Sequence, residues 1–361
     1  MLALLSASPT AATLASPSLT ELIQAAKYEP CTADDNTACV KPEAKYERIQ
    51  KSQPGYQWPD NGGYCGSWAV QRAALAKGAW ISQQQVRDHT SPAPGAPPSH
   101  DNEILSPNIA EALRRLKLKA EGFDFVNEPT PQQPAFFKWL KKQLVQNSTV
   151  VWMIMWDGQD YPAYDMKLPY GVHGHIEPVI GIQSHYPLTD ESVHGSDVFV
   201  HYTDGGTDTV YKPVATLSGD WSQGGAAQCH FGSRYCIGPY SYGWALHGFL
   251  DGSAREAVPL SLKVDPWQRE PDFREHEKAI ELTGTLTAER LTPGARYAVY
   301  RWDSVDTAFS YEPAHKIKTF TAASDTFVYE DPTAFLNNGT TYYRCVQENA
   351  PPTLQVEAPV A

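Results

Sequence analysis

Several things are missing from this chain, and each absence removes a class of function. There is no Walker loop and no dinucleotide glycine fingerprint, so the two commonest phosphate cradles are excluded. No apolar run approaches the length of a membrane span. Positive charge is scarce: 29 Lys and Arg stand against 41 Asp and Glu, a net charge of −12. That balance argues against nucleic acid and anionic membrane surfaces as partners. Neither a Cys-x-x-Cys pair nor a His-Glu-x-x-His run occurs, so the short zinc signatures are absent. No Asn lies between Asn147 and Asn337. What remains is 42% hydrophobic and 19% charged over 361 residues, enough for two domains and a sizeable core.

Against that background one stretch stands out, Asn61-Gly62-Gly63-Tyr64-Cys65-Gly66-Ser67-Trp68-Ala69. A glycine-rich turn leads into a helical pattern with Ala69, Val70, Ala73, Ala74 and Ala76 on one side, closed by Lys77-Gly78. A sulfur at that point faces exposed N–H groups and the positive end of the helix dipole, a setting suited to a nucleophile. Its base is expected in Tyr170–Ile182, a strand pattern that carries His175. A second strand, Val198–Tyr202, runs into Thr203-Asp204-Gly205-Gly206. A carboxylate there would orient the histidine, with Asp204 favoured over Asp190 and Asp197.

These elements together resemble a papain-fold cysteine peptidase, and most closely the bacteriocin-leader-peptidase-like variant: Cys-Gly-Ser-Trp-Ala opening a helix, Gly-His-Ile on a strand, and a strand ending in Asp. They also resemble secreted eukaryotic proteins with Asn-Gly-Gly-Tyr/Phe-Cys-Gly followed by Tyr/Trp-Ile-Ser-Gln, here Trp80-Ile81-Ser82-Gln83. The resemblance covers roughly residues 45–250 and implies a Cys65-His175-Asp204 triad acting on a peptide or amide-containing substrate without a cofactor. Two departures are visible. The papain family itself has Cys-Gly-Ser-Cys-Trp, with a second cysteine where this chain has Trp68. Such enzymes also place an oxyanion-hole Gln about six residues before the cysteine. Position 59 here is Pro, which leaves Gln57 and Asn61 as alternatives.

Two competing readings attach to the same residues. His173, His175 and Glu177 alternate on one strand face and form a possible metal set. A Cys65–Cys345 disulfide would turn the protein into an inactive papain-fold binding protein. The other four cysteines suggest short bridges, Cys31–Cys39 and Cys229–Cys236, and an oxidising compartment. With sequons at Asn147 and Asn338 and a degenerate, base-free apolar N-terminus, the chain is expected to be secreted or in the endomembrane lumen.

The expected fold class is α+β, a papain-like catalytic domain followed by a small all-β sandwich of fibronectin type. The N-terminal segment spans 1–44, the peptidase-like domain 45–253, and the sandwich 254–361. Helices are predicted over 18–28, 65–76, 82–89, 108–119 and 134–146, and strands over 150–155, 280–286, 296–302 and 341–346. The turn at Leu291-Thr-Pro-Gly-Ala-Arg-Tyr297 carries the likeness to fibronectin-type domains.

Overall fold

The structure is a computed structural model, which describes residues 43–55, 57–58, 63–92, 95–99, 101–104, 108–129, 132–157, 172–202, 209–220, 236–237, 243–249, 257–265, 282–334, 336 and 339–348. The expected helix over 18–28 lies outside them, as do Asn61, Asp204, Cys31, Cys39, Cys229 and Asn338.

Sheets dominate a mixed fold. Helix α1 (Cys65–Leu75) starts where the glycine-rich turn predicts. Strand β2 (Ala79–Ile81) follows, and α2 (Gln83–Asp88) is capped by Ser82, whose side chain accepts from Gln85 N. Helix α3 (Ile109–Arg115) is shorter than the expected 108–119. Lys117 takes a left-handed φ of 56° and ends it, and β3 (Leu118–Gly122) begins at once. Tertiary pairing won here over helical periodicity. Helix α4 (Gln133–Val145) matches its expectation.

The large sheet contains β1 (Tyr46–Ile49), β3, β4 (Thr149–Asp157), β5 (Val172–Ser184), β6 (Val198–Tyr202), β7 (Thr209–Pro213), β8 (Ser218–Asp220), β9 (Cys236–Ile237) and β10 (Gly243–Phe249). Its main path runs β3-β10-β4-β5-β6-β7, and β1 pairs with the end of β5. Both faces are buried. Val151, Met153, Ile176, Ile180 and Val200 join Trp68, Ala69, Val70 and Ala73 of α1 in one core. Val150, Trp152, Ile154, Val179 and Phe199 join Phe136, Phe137, Leu140 and Leu144 of α4 in a second. Strand alternation thus divides β4 and β5 residue by residue between two helices. On the α4 side, Lys141 and Asp197 form a fully buried ion pair at 3.0 Å.

A two-sheet sandwich follows in sequence. One sheet has the order β11 (Leu260–Asp265), β12 (Thr283–Glu289), β15 (Thr326–Asp331); the other β14 (Lys316–Thr321), β13 (Arg296–Trp302), β16 (Thr340–Gln347), β2. The fourth strand of that second sheet comes from the first half of the chain. Ala79, Trp80 and Ile81 pair with Tyr342, Thr341 and Thr340, and Trp80 is buried in the sandwich core with Leu262, Val299 and Tyr343. Gln53 adds a second tie: its amide both donates to Val264 O at 2.8 Å and accepts from Val264 N, as a neighbouring strand would. The outer face of β13 and β16 packs into the α1 core through Ala298, Tyr300, Trp302, Tyr342 and Val346.

The seam between the halves includes a buried lysine. Burial and then the nearby Arg344 cation push the Lys77 ammonium down to about 8. Between that value and the ordinary 10.5 the unfolded chain binds more protons than the folded one, so this group makes stability rise with pH across the window. Urea midpoints at pH 8 and pH 10 are expected to show a rise in the wild type relative to Lys77→Met; equal trends would refute the assignment. Trp80→Ala is expected to cost ~3–5 kcal/mol and to lower a single calorimetric transition for the whole chain, because β2 belongs to both halves. Two separate transitions in the wild type would contradict that coupling.

Candidate functional site

The turn before α1 is built by its neighbours. Gly63 has a left-handed φ of +65°, which glycine adopts without strain. Arg87 of α2 donates from Nη2 to Gly63 O at 2.7 Å, and its guanidinium stacks on the Tyr64 ring at 4.0 Å. Trp58 packs against the other part of that ring at 5.2 Å. The loop at 102–104 closes over the helix start. A Cβ on Gly63 would lie 2.7 Å from the Glu103 carboxylate, and one on Gly66 would lie 2.7 Å from Ile104. Burial raises the Glu103 carboxyl above its ordinary range, with the Arg87 cation offsetting only part of the effect.

Cys65 is the first residue of α1, half-buried, and packs against the α1 core. The N-cap residue Tyr64 makes no side-chain capping bond and no acid stands in the first turn, so nothing in the helix itself neutralises the positive end of its dipole. The segment 52–58 is stitched along α1: Ser52 donates to Arg72 O at 2.8 Å, Arg72 to Pro54 O at 3.1 Å, and Trp68 to Gly55 O at 2.8 Å. Gln57 is buried, and its Oε1 has no hydrogen-bond partner among the described residues. Cys65 and Cys345 are both free thiols. Cys345 lies in the sandwich core, where burial pushes its thiol up to about 12, so the disulfide that would have ruled out a nucleophile is not formed. The side chain of Cys236 lies outside the described residues, and no Cys229–Cys236 bridge is described.

His175 does not stand where the sequence reading puts it. It sits opposite Ile154 in the β4–β5 register, and paired residues share a face. Ile154 belongs to the α4 core, whereas Ile176, the next residue along β5, belongs to the α1 core with Cys65. The buried His175 ring therefore lies on the sheet face away from α1. A single residue of strand phase separates it from the cysteine helix.

On that far face a different cluster forms. Glu177, fully buried, accepts from the Trp152 indole at 3.2 Å and lies 2.9 Å from His201 Nδ1. Its other oxygen lies 3.6 Å from His175 Nε2. The Trp152 and His201 rings pack at 5.1 Å. Of the possible metal set, Glu177 engages His201 and Trp152 through one oxygen and faces His175 with the other, and the His173 side chain lies outside the described residues. Among the described residues, no three His, Cys, Asp or Glu side chains are arranged to hold a metal ion. The competing acids are engaged elsewhere, Asp197 with Lys141 and Ser184, and Asp190 with His194 and Ser192. Glu103, Arg87 and the Glu177–His201 pair went unseen in the sequence. Their motif-free spacing, 38 and 22 residues from Cys65 for Glu103 and Arg87, gives no local signal.

The chain is weakly similar in structure to the clostridial cysteine protease Cwp84 after propeptide cleavage. The identity is 10%, 83% of this chain and 82% of that chain are covered, and the TM-score is 0.26. A second structure holds the cysteine protease and lectin-like domains of Cwp84, a surface-layer-associated protein of Clostridium difficile. It matches at 11% identity over 93% of this chain and 84% of that one, again with a TM-score of 0.26. No protein-family model matches the chain, and no curated protein matches it.

Gly63→Ala is expected to destabilise by ~1–3 kcal/mol. The left-handed φ is the stiffer constraint, because the Glu103 carboxylate can swing aside. Chemical denaturation of wild type and variant checks this, and an unchanged midpoint would show that the turn tolerates a Cβ.

Proposed function

We propose that this protein performs thiol-dependent acyl chemistry on a peptide or amide substrate, with Cys65 as nucleophile, in a papain-like domain followed by a fibronectin-type sandwich. One observation carries the proposal: a free, half-buried cysteine opens a helix with no capping bond from its N-cap side chain and no acid in its first turn. The Cys65 sulfur attacks the carbonyl carbon, and the Cys65 backbone N–H with Gln57 or Asn61 receives the oxyanion. The C–N bond breaks and the amine departs with the proton that the thiol gave up; water or a second amine then cleaves the thioester, taking the acyl group and returning a proton to the sulfur. Water makes the protein a peptidase or amidase, an amine a transferase. His175 is not assigned as base, because its ring lies behind the sheet. Asp204, expected to orient that histidine, lies outside the described residues.

A second reading, a catalytically inactive papain-fold binding protein, is favoured by that same displacement of His175. Iodoacetamide labelling with the modified residue mapped by mass spectrometry separates the two. Selective alkylation of Cys65 at pH 6–7 is expected, at the same rate in His175→Ala, with Cys345 untouched in its core. A Cys65 no faster than a free model thiol would favour the binding protein. A large loss of rate in a folded His175→Ala would restore the histidine to the mechanism.

A further inference from the structure

A second group of chemistry-bearing side chains stands apart from Cys65, at the ends of β4 and β10. Thr149 of β4 pairs with Leu246 of β10. Just beyond that pair, Ser148 Oγ meets His247 Nδ1 at 2.7 Å. The carboxylate of Glu121 on β3 lies on the other side of the ring, its Oε2 3.7 Å from His247 Nε2. Serine, histidine and glutamate thus stand in line, hydroxyl to imidazole to carboxylate. Each is fixed by its element. Ser148 follows the end of α4, where its N–H donates to Gln143 O at 3.0 Å. His247 is the extra residue of a bulge: Leu246 pairs with Ala120 and Gly248 with Lys119, which leaves His247 no opposite number on β3. Bulges of this kind re-aim a side chain. Glu121 is held by α4, accepting through Oε1 from the Trp139 indole at 3.1 Å and from the Gln143 amide at 3.2 Å.

The protonation pattern suits a general base. Burial first, and the Lys77 and Lys119 cations with it, hold the His247 imidazole below its ordinary value, and Glu121 offsets only part of this. The ring is therefore neutral at pH 7. With its proton on Nε2, towards Glu121, its Nδ1 lone pair accepts from the Ser148 hydroxyl. In unliganded sites the contacts that orient a catalytic base are often long and tighten when substrate binds, and the 3.7 Å from Glu121 is of that kind. Ser148 is otherwise buried, but it and His247 line an open pocket of about 230 Å³. Lys77 and Arg344 line the same pocket, and Val258 and Leu260 form part of its apolar wall. Cations beside a reacting carbonyl stabilise the negative charge that develops on its oxygen.

We propose that Ser148, His247 and Glu121 form a second, serine-dependent hydrolytic site that cleaves small carboxylic esters. Ser148 Oγ attacks the ester carbonyl carbon as its proton passes to His247 Nδ1. The C–O bond to the alcohol breaks, and the imidazolium gives that proton to the departing alcohol. Water then attacks the acyl-serine carbonyl and passes a proton to His247. The bond to Ser148 Oγ breaks, the acid leaves, and the serine oxygen takes the proton back. Glu121 stays ionised throughout and acts as a positioning residue for the ring. The pocket volume suits a short acyl ester, not a polymer. The site stands independently of the chemistry proposed for Cys65.

The test treats the intact wild-type chain with diisopropyl fluorophosphate and maps the modified residue by mass spectrometry. Phosphorylation of Ser148 Oγ with loss of fluoride is expected. Cys65→Ala, which removes the thiol as a rival nucleophile, is expected to hydrolyse p-nitrophenyl acetate and to lose that activity after the same treatment. In folded His247→Gln the labelling rate is expected to fall at least ~100-fold, the loss of a general base. Glu121→Gln keeps an acceptor for Trp139 and Gln143 and removes the charge. Because the carboxylate raises the imidazole value against Lys77, Lys119 and burial, the pH midpoint of labelling is expected to move down in this variant. A carboxylate that only packs would leave the midpoint in place, and that result overturns the role of Glu121. A folded wild type whose Ser148 stays unlabelled overturns the proposal whether or not the variants fold. Labelling at the wild-type rate in folded His247→Gln, or ester hydrolysis that survives modification of Ser148, overturns it as well.

Discussion

Burial of β5 on both faces is the constraint from which the rest of the molecule follows. Helix α1 covers one face through Trp68, Ala69, Val70 and Ala73, and α4 covers the other through Phe136, Phe137, Leu140 and Leu144. With no solvent side, each step along the strand changes the helix a side chain meets. Ile176 and Ile180 serve the α1 core, while His175, Glu177 and Val179 follow the partners of Ile154 and Trp152 into the α4 side. A bulge between Val179 and Gly181 resets the phase, so that Ile182 returns to the α4 core. On that side Glu177 engages Trp152 and His201 through one oxygen, and Lys141 engages Asp197.

The second organising feature is the exchange of a strand between the halves. Sequence order places β2 in the first half, and hydrogen bonding places it in the sandwich. Trp80 fills the sandwich core, Gln53 imitates a strand along Val264, and Tyr342 donates its hydroxyl to Leu116 O at 2.8 Å in the opposite direction. The cysteine helix and the sandwich are therefore mechanically joined. The short connection from Leu75 through Lys77 and Gly78 to β2 carries that coupling, and Gly78 takes a φ of +73° at its tightest point, against Leu260. The same connection brings Lys77 near Arg344.

Much of the local structure was legible in the sequence. The α1 start at Cys65 was signalled by Gly62-Gly63 and the alanine-rich face, and the α2 cap by Ser82. Helix α4 and strands β4, β6, β13 and β16 followed from periodicity. Helix α3 was overestimated, because the apolar spacing of Leu113, Leu116 and Leu118 continues smoothly from helix into strand while Lys117 breaks the backbone. Strand β2 was visible only as a motif, since three apolar residues carry no period long enough to read.

The sequence by itself determined that Cys65 would open a helix and that strands would lie over 296–302 and 341–346. Those properties depend on turn chemistry and short-range periodicity, which neighbours in the chain specify. Only the tertiary structure decided which face of β5 meets Cys65, that His201 joins Glu177, and that Lys77 comes near Arg344. Strand phase relative to a packed helix, and the meeting of residues more than two hundred positions apart, are fixed by pairing register and core packing, and no local pattern encodes either.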